Sequence, residues 1–483
     1  MKKLIAVLLL VVMALSMVAC GKEAETDANG GDPLKGVFSV GYSRVSITPS
    51  YSVPLAGYGN TEKRMSTGFL SYLLATCSVF TDAEGTSVMV IQNDLSGCNK
   101  SLFDPIKEKI SEKLGIPATN IMVAGTHTHS GPDVGNTKIE TIAQYRQDLE
   151  KWIIQAAEEA WADRSEVTKL TTGRIQLPAN TLNFIRHYTT ESGIVKGDNF
   201  GDLVDSPYTG HVRDADADMQ LIRFERKGES KPITMVNWQT HPHRGGGSKN
   251  YNMTADLVGA MRDKFEKGTG DLFMYFTGAS GNVNPSSRIT KENITADFKE
   301  QGEKLADYAV ECFNKNLAEA EVGKLQFMAY TFEGQVNHSE DHLVQQAKEV
   351  QNEWTTNNNF TNAVKLANKY GINSPYHANG IVSKSTLGKT YDVEMYAFSI
   401  GDSIGFVTAP YEMYSEQGET IKKESPFPNT IVITCCNNGI GYIPSEEGYD
   451  NNSYGANTGK FVKGTGEQLA TQYVAMLTEL FNN

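Results

Sequence analysis

Two imidazoles two residues apart, in Gly125-Thr126-His127-Thr128-His129-Ser130-Gly131-Pro132, carry the strongest chemical signal in the chain. They follow the apolar run Ile121 to Ala124, which reads as a buried strand. Side chains on a strand alternate with period two, so residues i and i+2 face the same way. The glycine before the pair and the Gly-Pro after it predict a turn that exposes both rings. Such a pair at the mouth of a strand suits a metal ion, although on its own it fits turn-stabilising histidines equally well.

The same placement recurs along the chain. His241 and His243 follow Met235-Val236-Asn237-Trp238, and Gly278 to Pro285 follows Phe273 to Phe276. Glu412 follows Phe406-Val407-Thr408, and Tyr442 follows Ile431 to Thr434 through a glycine-containing loop. With His187 after Ile185, such loops hold five of the nine histidines. In layered α/β folds, sites collect past strand ends. The other histidines read more plainly. His338 and His342 have a metal-pair spacing, but Asn337-His338-Ser339-Glu340-Asp341 reads as a solvated helix start. His211 and His377 read as surface residues, and His243 as structural or in contact with substrate. The run Gly245 to Gly247 precedes Ser248-Lys249, the reverse of a phosphate loop's order, and lacks that motif's earlier glycine.

The elements that must carry these groups alternate. Strand-like runs are Ser87–Gln92, Ile121–Ala124, Met219–Phe224, Ile233–Trp238, Leu272–Phe276, Leu325–Thr331, Glu394–Ile400, Ser403–Thr408 and Thr430–Thr434. Amphipathic runs are Phe103–Leu114, Ile142–Trp161, Ala255–Glu266, Ala296–Asn314, Leu343–Trp354, Asn362–Tyr370 and Glu467–Phe481. In the last, Leu469, Tyr473, Leu477 and Leu480 share a face. Interleaving predicts an α/β fold, a layered β-sheet core flanked by helices. Gly401-Asp402 signals a hairpin, so the sheet is mixed.

At the N-terminus, Lys2-Lys3 precede an apolar run from Leu4 to Val18 and then Ala19-Cys20, an export signal too short to span a membrane. Ser16-Met17-Val18-Ala19-Cys20 looks like a bacterial lipobox, which implies cleavage before Cys20 and its lipidation. Residues 1–20 are therefore expected to be a lipoprotein signal, 21–36 a polar tether, and 37–483 one catalytic domain. The expected place is the cell envelope, anchored through Cys20. The chain carries a net charge of −13, and removing Lys2 and Lys3 leaves −15, which disfavours nucleic acid and acidic membranes. The body's cysteines, Cys77, Cys98, Cys312, Cys435 and Cys436, show no zinc-finger spacing and specify no disulfide. Nothing in the sequence points to a protein partner.

Taken in order, the motifs resemble those of the neutral ceramidases, zinc-dependent amide hydrolases. Gly125 to Pro132 is similar to the family's signature. Gly41-Tyr-Ser-Arg-Val-Ser-Ile-Thr-Pro49, with Gly57-Tyr58-Gly59, resembles its opening, and Asn237-Trp238-Gln-Thr-His241 its second histidine motif. Gly281-Asn-Val-Asn-Pro285 resembles its Gly-Asp-x-Ser-Pro loop. Pro410-Tyr-Glu412, Gly441-Tyr442 and Tyr454 resemble the remaining site motifs. The likeness spans about Gly36 to Asn483. It implies Zn²⁺ held by His127, His241, Glu412 and Tyr442. It implies His129 as acid–base or substrate contact, Tyr454 as a donor to the scissile carbonyl, and Arg186, in Asn183-Phe-Ile-Arg186, as a wall of the site.

Two departures follow. Asn284 stands where the family has serine and Asn282 where it has the acid, so a serine acyl-enzyme at that position is excluded. Asn284 can still stabilise an oxyanion through its amide. The chain also stops after Glu467–Phe481, where family members continue into an immunoglobulin-like domain, so no such C-terminal domain is expected. The expected function is hydrolysis of an N-acyl lipid or related N-acyl amide by metal-activated water. Phe184, Tyr188, Tyr411, Tyr414 and Tyr449 are expected to line an acyl slot. Intact ceramide is expected to react less well than soluble analogues. The competing readings are a catalytically impaired lipoprotein that binds a ligand, and a zinc carboxylesterase.

Overall fold

The computed structural model describes residues 34–58, 63–135, 137–193, 195–197, 207–245, 249–289 and 297–483. The expected signal, Cys20, the tether up to Pro33, Gly59, Gly246 and Gly247 lie outside these residues. No helix among the described residues is long and apolar enough to cross a membrane.

A nine-stranded mixed sheet runs in the order Leu272–Thr277, Ile233–Trp238, Asp218–Arg226, Ser165–Gln176, Ser39–Ser46, Leu74–Thr81, Ser87–Asn93, Ile121–Gly125, with Ala318–Ala320 beside Ser165–Gln176. The inner pairs are antiparallel, and the outermost pair at each edge is parallel. Helix Lys100–Leu114 makes the crossover at one edge and helix Asp256–Thr269 at the other. A second sheet, Leu325–Gln335, Thr390–Ile400, Ile404–Thr408, Asn429–Ile433, lies against the first. Between them Phe80, Phe224, Phe398, Phe406 and Ile431 form one dry layer. Gly401 turns the hairpin into Ile404–Thr408 in the left-handed region, as its sequence predicts.

Helices cover the outer faces. Helix Glu140–Ala162 puts Tyr145, Leu149, Ile153 and Ala157 on the first sheet. Helix Thr465–Asn482 buries Leu469, Tyr473, Leu477 and Leu480 against the second, the face expected from their spacing. The result is four layers: helix, sheet, sheet, helix.

The histidine loops start on opposite edges of the large sheet. They meet because the sheet coils until its edges touch at their carboxyl ends. Thr277 Oγ1 donates to the Thr126 carbonyl (2.9 Å), the Gly125 amide to Cys435 O (3.1 Å), and the Thr434 amide to Thr277 O (2.9 Å). Segment 434–436 of the second sheet is thus stitched to both edges.

Between the long strands of the second sheet sits a group of three helices, Val344–Thr355, Phe360–Lys369 and Pro375–Lys384, with a core of its own. Here one expectation is corrected. His377 is buried, not a surface residue, and its Nε2 lies 2.8 Å from Glu340 Oε1. Lys384, also buried, reaches Glu340 Oε2 at 3.0 Å. Burial raises the Glu340 carboxyl, but His377 and Lys384 outweigh it and bring its pKa down to about 2. A depressed carboxylate stabilises the fold above its unfolded pKa and loses that contribution as pH falls through the folded value. The stabilisation should therefore fade between about pH 4.5 and pH 2. Glu340→Gln is expected to cost about 2 kcal/mol at pH 7, because it strands a buried cation. The loss should shrink toward pH 2; equal denaturant midpoints of the two proteins at pH 7 would contradict it.

Candidate metal centre

Each parallel strand pair delivers its chemistry from carboxyl ends. Strand Ile121–Gly125 leads to His127 and His129, Ile233–Trp238 to His241 and His243, and Leu272–Thr277 to the loop Gly281 to Pro285. Strand Ile404–Thr408 leads to Glu412, and Asn429–Ile433 to Tyr442. Glu412 and Tyr442 are direct partners in a short parallel ladder.

These side chains converge. His127 Nε2 is 3.3 Å and His241 Nε2 3.2 Å from the same oxygen, Glu412 Oε2. His129 Nε2 is 3.4 Å from His127 Nε2. Ligands about 2.1 Å from one ion at tetrahedral angles stand about 3.4 Å apart, so this spacing is that of a ligand set. The second partners agree. His241 Nδ1 donates to Val283 O (3.0 Å) and His127 Nδ1 to Ser96 O. A carbonyl only accepts, so both rings carry hydrogen at Nδ1 and offer the Nε2 lone pair to the centre. His129 differs: its buried Nδ1 has no hydrogen-bond partner among the described residues. His127 and His241 are thus oriented toward the centre by their Nδ1 bonds, whereas His129, the third imidazole of a group that could hold a metal ion, has no such bond.

The rings come together for a reason other than strand alternation. The strand ends at Gly125, and His127 takes a left-handed conformation with φ 69°. Cys435, 3.5 Å from His127 Nδ1, is left-handed too, with φ 53°. Both are sparsely populated for residues with a Cβ, and they hold each other at the site. Nor does the turn expose the rings. His127 is buried and His129 half-buried. Gly57 permits this: a Cβ there would lie 2.4 Å from the Cβ of His129. Tyr58 meets the His129 ring edge-on at 5.2 Å and donates to His243 O (2.9 Å).

Electrostatics follow from the packing. Burial raises the Glu412 carboxyl, but His127 and His241 outweigh it and hold it ionised. Burial pushes His241 down to about 4. Burial, then neighbouring imidazoles, pushes His129 well down, so it stays neutral. The Tyr442 phenol is held protonated by burial and by the Glu412 carboxylate it meets. Arg186 lies over the rings of Tyr442 (5.1 Å) and Tyr454 (5.5 Å) and donates to Gly281 O (2.6 Å). Burial lowers its basicity, and Tyr442, Tyr414 and Glu412 more than restore it.

Asn284 Oδ1 accepts from His243 Nε2 at 3.2 Å, one wall away from the three central rings. Asn282 has a clear reason to replace an acid. Its Nδ2 donates to Glu416 Oε2 (2.9 Å) while its Oδ1 accepts from the Ser415 amide (2.8 Å). An aspartate there would face the Glu416 carboxylate. The same loop braces the Glu412-Met413 segment, since the Gly281 amide donates to Met413 O (2.7 Å). A Cβ at Gly281 would lie 2.5 Å from Glu412 O and 2.8 Å from Met413 O. Gly281→Ala must displace the Glu412 backbone and is expected to weaken metal affinity about 10- to 100-fold. Calorimetric titration checks this, and an unchanged dissociation constant would refute it.

His127, His129, Glu412, Tyr442, Tyr454 and Cys435 line a cavity of about 340 Å³ that also touches Gly57 and Tyr411. A larger cleft, about 840 Å³, lies along helices Asp256–Thr269 and Phe298–Lys315 and contains none of these groups. Of the aromatics expected to form an acyl slot, only Tyr411 borders the cavity. Phe184, Tyr188 and Tyr414 are fully buried in the packing behind it, and the Tyr449 hydroxyl is spent on Phe461 O (2.5 Å). His211 is half-buried, on Ile185 O and Ser287 Oγ, and is not a surface residue. The parts no sequence pattern marked are the carbonyls of Ser96 and Val283, and Cys435. Tyr58 lay inside a quoted motif without a role.

The convergent histidines at strand ends of a layered α/β fold form a group that could hold a metal ion. Residues 38–275 match the family model for neutral/alkaline non-lysosomal ceramidase, N-terminal. Over that span the chain is similar to the neutral ceramidase family. The neutral ceramidase from Pseudomonas aeruginosa shares its fold, with TM-score 0.67 and 15% identity over 92% of this chain and 75% of that chain. A ceramidase complexed with C2 gives 0.64 and 16% over the same shares. No curated protein matches the chain.

Proposed function

We propose that the protein is a zinc-dependent amidase that hydrolyses N-acyl lipids of the ceramide type. The observation that carries this is the division among three imidazoles: His127 and His241 are tied through Nδ1 and share Glu412 Oε2, while His129 beside them is untied. His127, His241 and Glu412 fit zinc by spacing, tautomer and charge, and Tyr442 stands next to Glu412 as the fourth donor. Bound there, zinc supplies a Lewis acid for the carbonyl and lowers the pKa of water toward 7.

The chain's own residues do the rest. Neutral His129 takes a proton from the attacking water at Nε2, the nitrogen beside His127 Nε2, as the carbon–oxygen bond forms. It returns that proton to the nitrogen as the C–N bond breaks, leaving a carboxylic acid and an amine, and the acid's remaining proton passes to the amine to give carboxylate and ammonium. Tyr454, held under Arg186, donates to the carbonyl oxygen as negative charge develops there. Arg186 keeps both tyrosine rings in place and adds positive charge. Asn284, oriented by His243, offers its amide to the same developing charge and cannot form an acyl-enzyme. The 37–483 body acts as one catalytic unit in this scheme, exported and anchored through Cys20.

Incubation with N-acylsphingosines and simpler N-acyl amides tests the reading. Fatty acid and amine should appear in equal amounts, cease with a chelator and return with zinc. Cell fractionation tests the anchor: the chain should sediment with membranes, and Cys20→Ser should release it. Turnover indifferent to chelation would remove the zinc reading, and a soluble wild-type chain the anchor.

A further inference from the structure

We propose that the three-helix insertion carries the track for the substrate's alkyl chain, a ladder of rings running outward from the cavity through Tyr454, Tyr376, Trp354 and Phe360. This rests on the reading of the site as an N-acyl amide hydrolase and says where the apolar part of the substrate lies. The rings touch in series. Tyr454, in the cavity wall, meets Tyr376 edge-on with centroids 5.6 Å apart. Tyr376 meets Trp354 at 4.9 Å and Phe360 at 5.9 Å, and Trp354 meets Phe360 at 5.3 Å.

The small core of the insertion is built from Ala347, Val350, Ala363, Ala367, Ile372, Ala378 and Ile381, and of the ladder rings only Trp354 packs against it. Trp354 and Tyr376 are half-buried, and Phe360 is 41% exposed. A single exposed aromatic is ordinary, but three in mutual contact that continue a catalytic wall form an apolar surface with one end at the chemistry. Of the aromatics that sequence alone nominated for this task only Tyr411 borders the cavity, so the apolar chain needs another place.

The insertion is fixed in position. A Cβ at Gly380 would lie 2.2 Å from Asn457 O, on the helix that begins with Tyr454. Asn373 Nδ2 donates to Asn457 Oδ1 (2.9 Å) and Asn452 Oδ1 (2.8 Å). On the opposite side Lys63 Nζ donates to Asn358 Oδ1 (2.9 Å), from the segment that follows Gly57 of the cavity wall. A ladder held from both sides binds without ordering itself first.

The ligand chemistry is a long saturated or monounsaturated chain, which an N-acyl lipid offers on its acyl side and a sphingoid base on its amine side. The experiment measures kcat/KM for four amides, with palmitoyl or acetyl on the acyl side and a sphingoid or ethanolamine on the amine side. The proteins are wild type, Phe360→Ala, Tyr376→Leu and the remote exposed Tyr330→Ala. In wild type the long chain that uses the ladder should raise kcat/KM, by up to about 4-fold for each methylene it buries. Phe360→Ala and Tyr376→Leu should cut the long-to-short ratio about 10-fold on that side only, and Tyr330→Ala should leave it as in wild type. Palmitate binding, followed by tryptophan fluorescence, reads the ladder without turnover and should weaken about 10-fold in Phe360→Ala. Hydrolysis with ratios identical in all four proteins overturns the ladder and leaves the hydrolase. Palmitate binding that depends on Phe360 without any amide hydrolysis keeps the ladder and overturns the hydrolase. Equal palmitate binding by wild type and Phe360→Ala overturns the ladder independently of activity.

Discussion

His241→Ala should remove bound metal and turnover together, with kcat/KM falling by well over about 100-fold. That floor is set by outer partners of a metal ligand, whose loss alone costs about 10- to 100-fold. His241 is a direct donor in the proposed centre, only 1% exposed, with its ring locked between Val283 O and Glu412 Oε2. Elemental analysis of the purified variant should find metal near zero while the wild type holds one ion per chain. The thermal melt of the two proteins without metal should be similar, because the imidazole contributes little to the apolar layers. A variant that keeps one ion and near-normal turnover would remove His241 from the centre.

His129→Ala should produce the opposite combination, with metal kept and turnover lost. His129 has no carbonyl fixing its Nδ1, and burial with its imidazole neighbours keeps it neutral, which suits a group that takes and returns a proton. Loss of a positioned acid–base costs about 100- to 10,000-fold in kcat. The ion should remain at one per chain, since His127, His241, Glu412 and Tyr442 are untouched. Parallel metal analysis and steady-state kinetics decide it. Loss of metal in step with activity would make His129 a ligand, and unchanged kinetics would leave it a wall of the cavity.

The layered architecture was legible because its outer elements are strongly patterned. The face of helix Thr465–Asn482 and the hairpin at Gly401 are where periodicity and turn chemistry place them. The central strands were not. Ser39–Ser46, Leu74–Thr81 and Ser165–Gln176 are rich in serine and threonine and lack a continuous apolar run. Ser165–Gln176 also contains Gly173, whose missing side chain admits Leu317 and Cys312. Their strand character comes from neighbours on both sides, which a single segment does not display.

At the site, the order of motifs pointed to His127, His241, Glu412 and Tyr442, and these do meet. Strand alternation was the wrong reason for His127, whose left-handed backbone depends on a contact with Cys435, 308 residues away. Phe184, Tyr188 and Tyr414 misled because aromatic content near a motif says nothing about which way a ring packs. His377 misled for a related reason: its partners, Glu340 and Lys384, are visible only once the insertion is folded.

The most direct test of the account is a zinc titration of chelator-treated protein, with N-acyl amide hydrolysis measured at every point. The account predicts uptake of one ion per chain, with hydrolysis rising in proportion and saturating at that stoichiometry. Failure to take up zinc, or full hydrolysis by the metal-free protein, would contradict it.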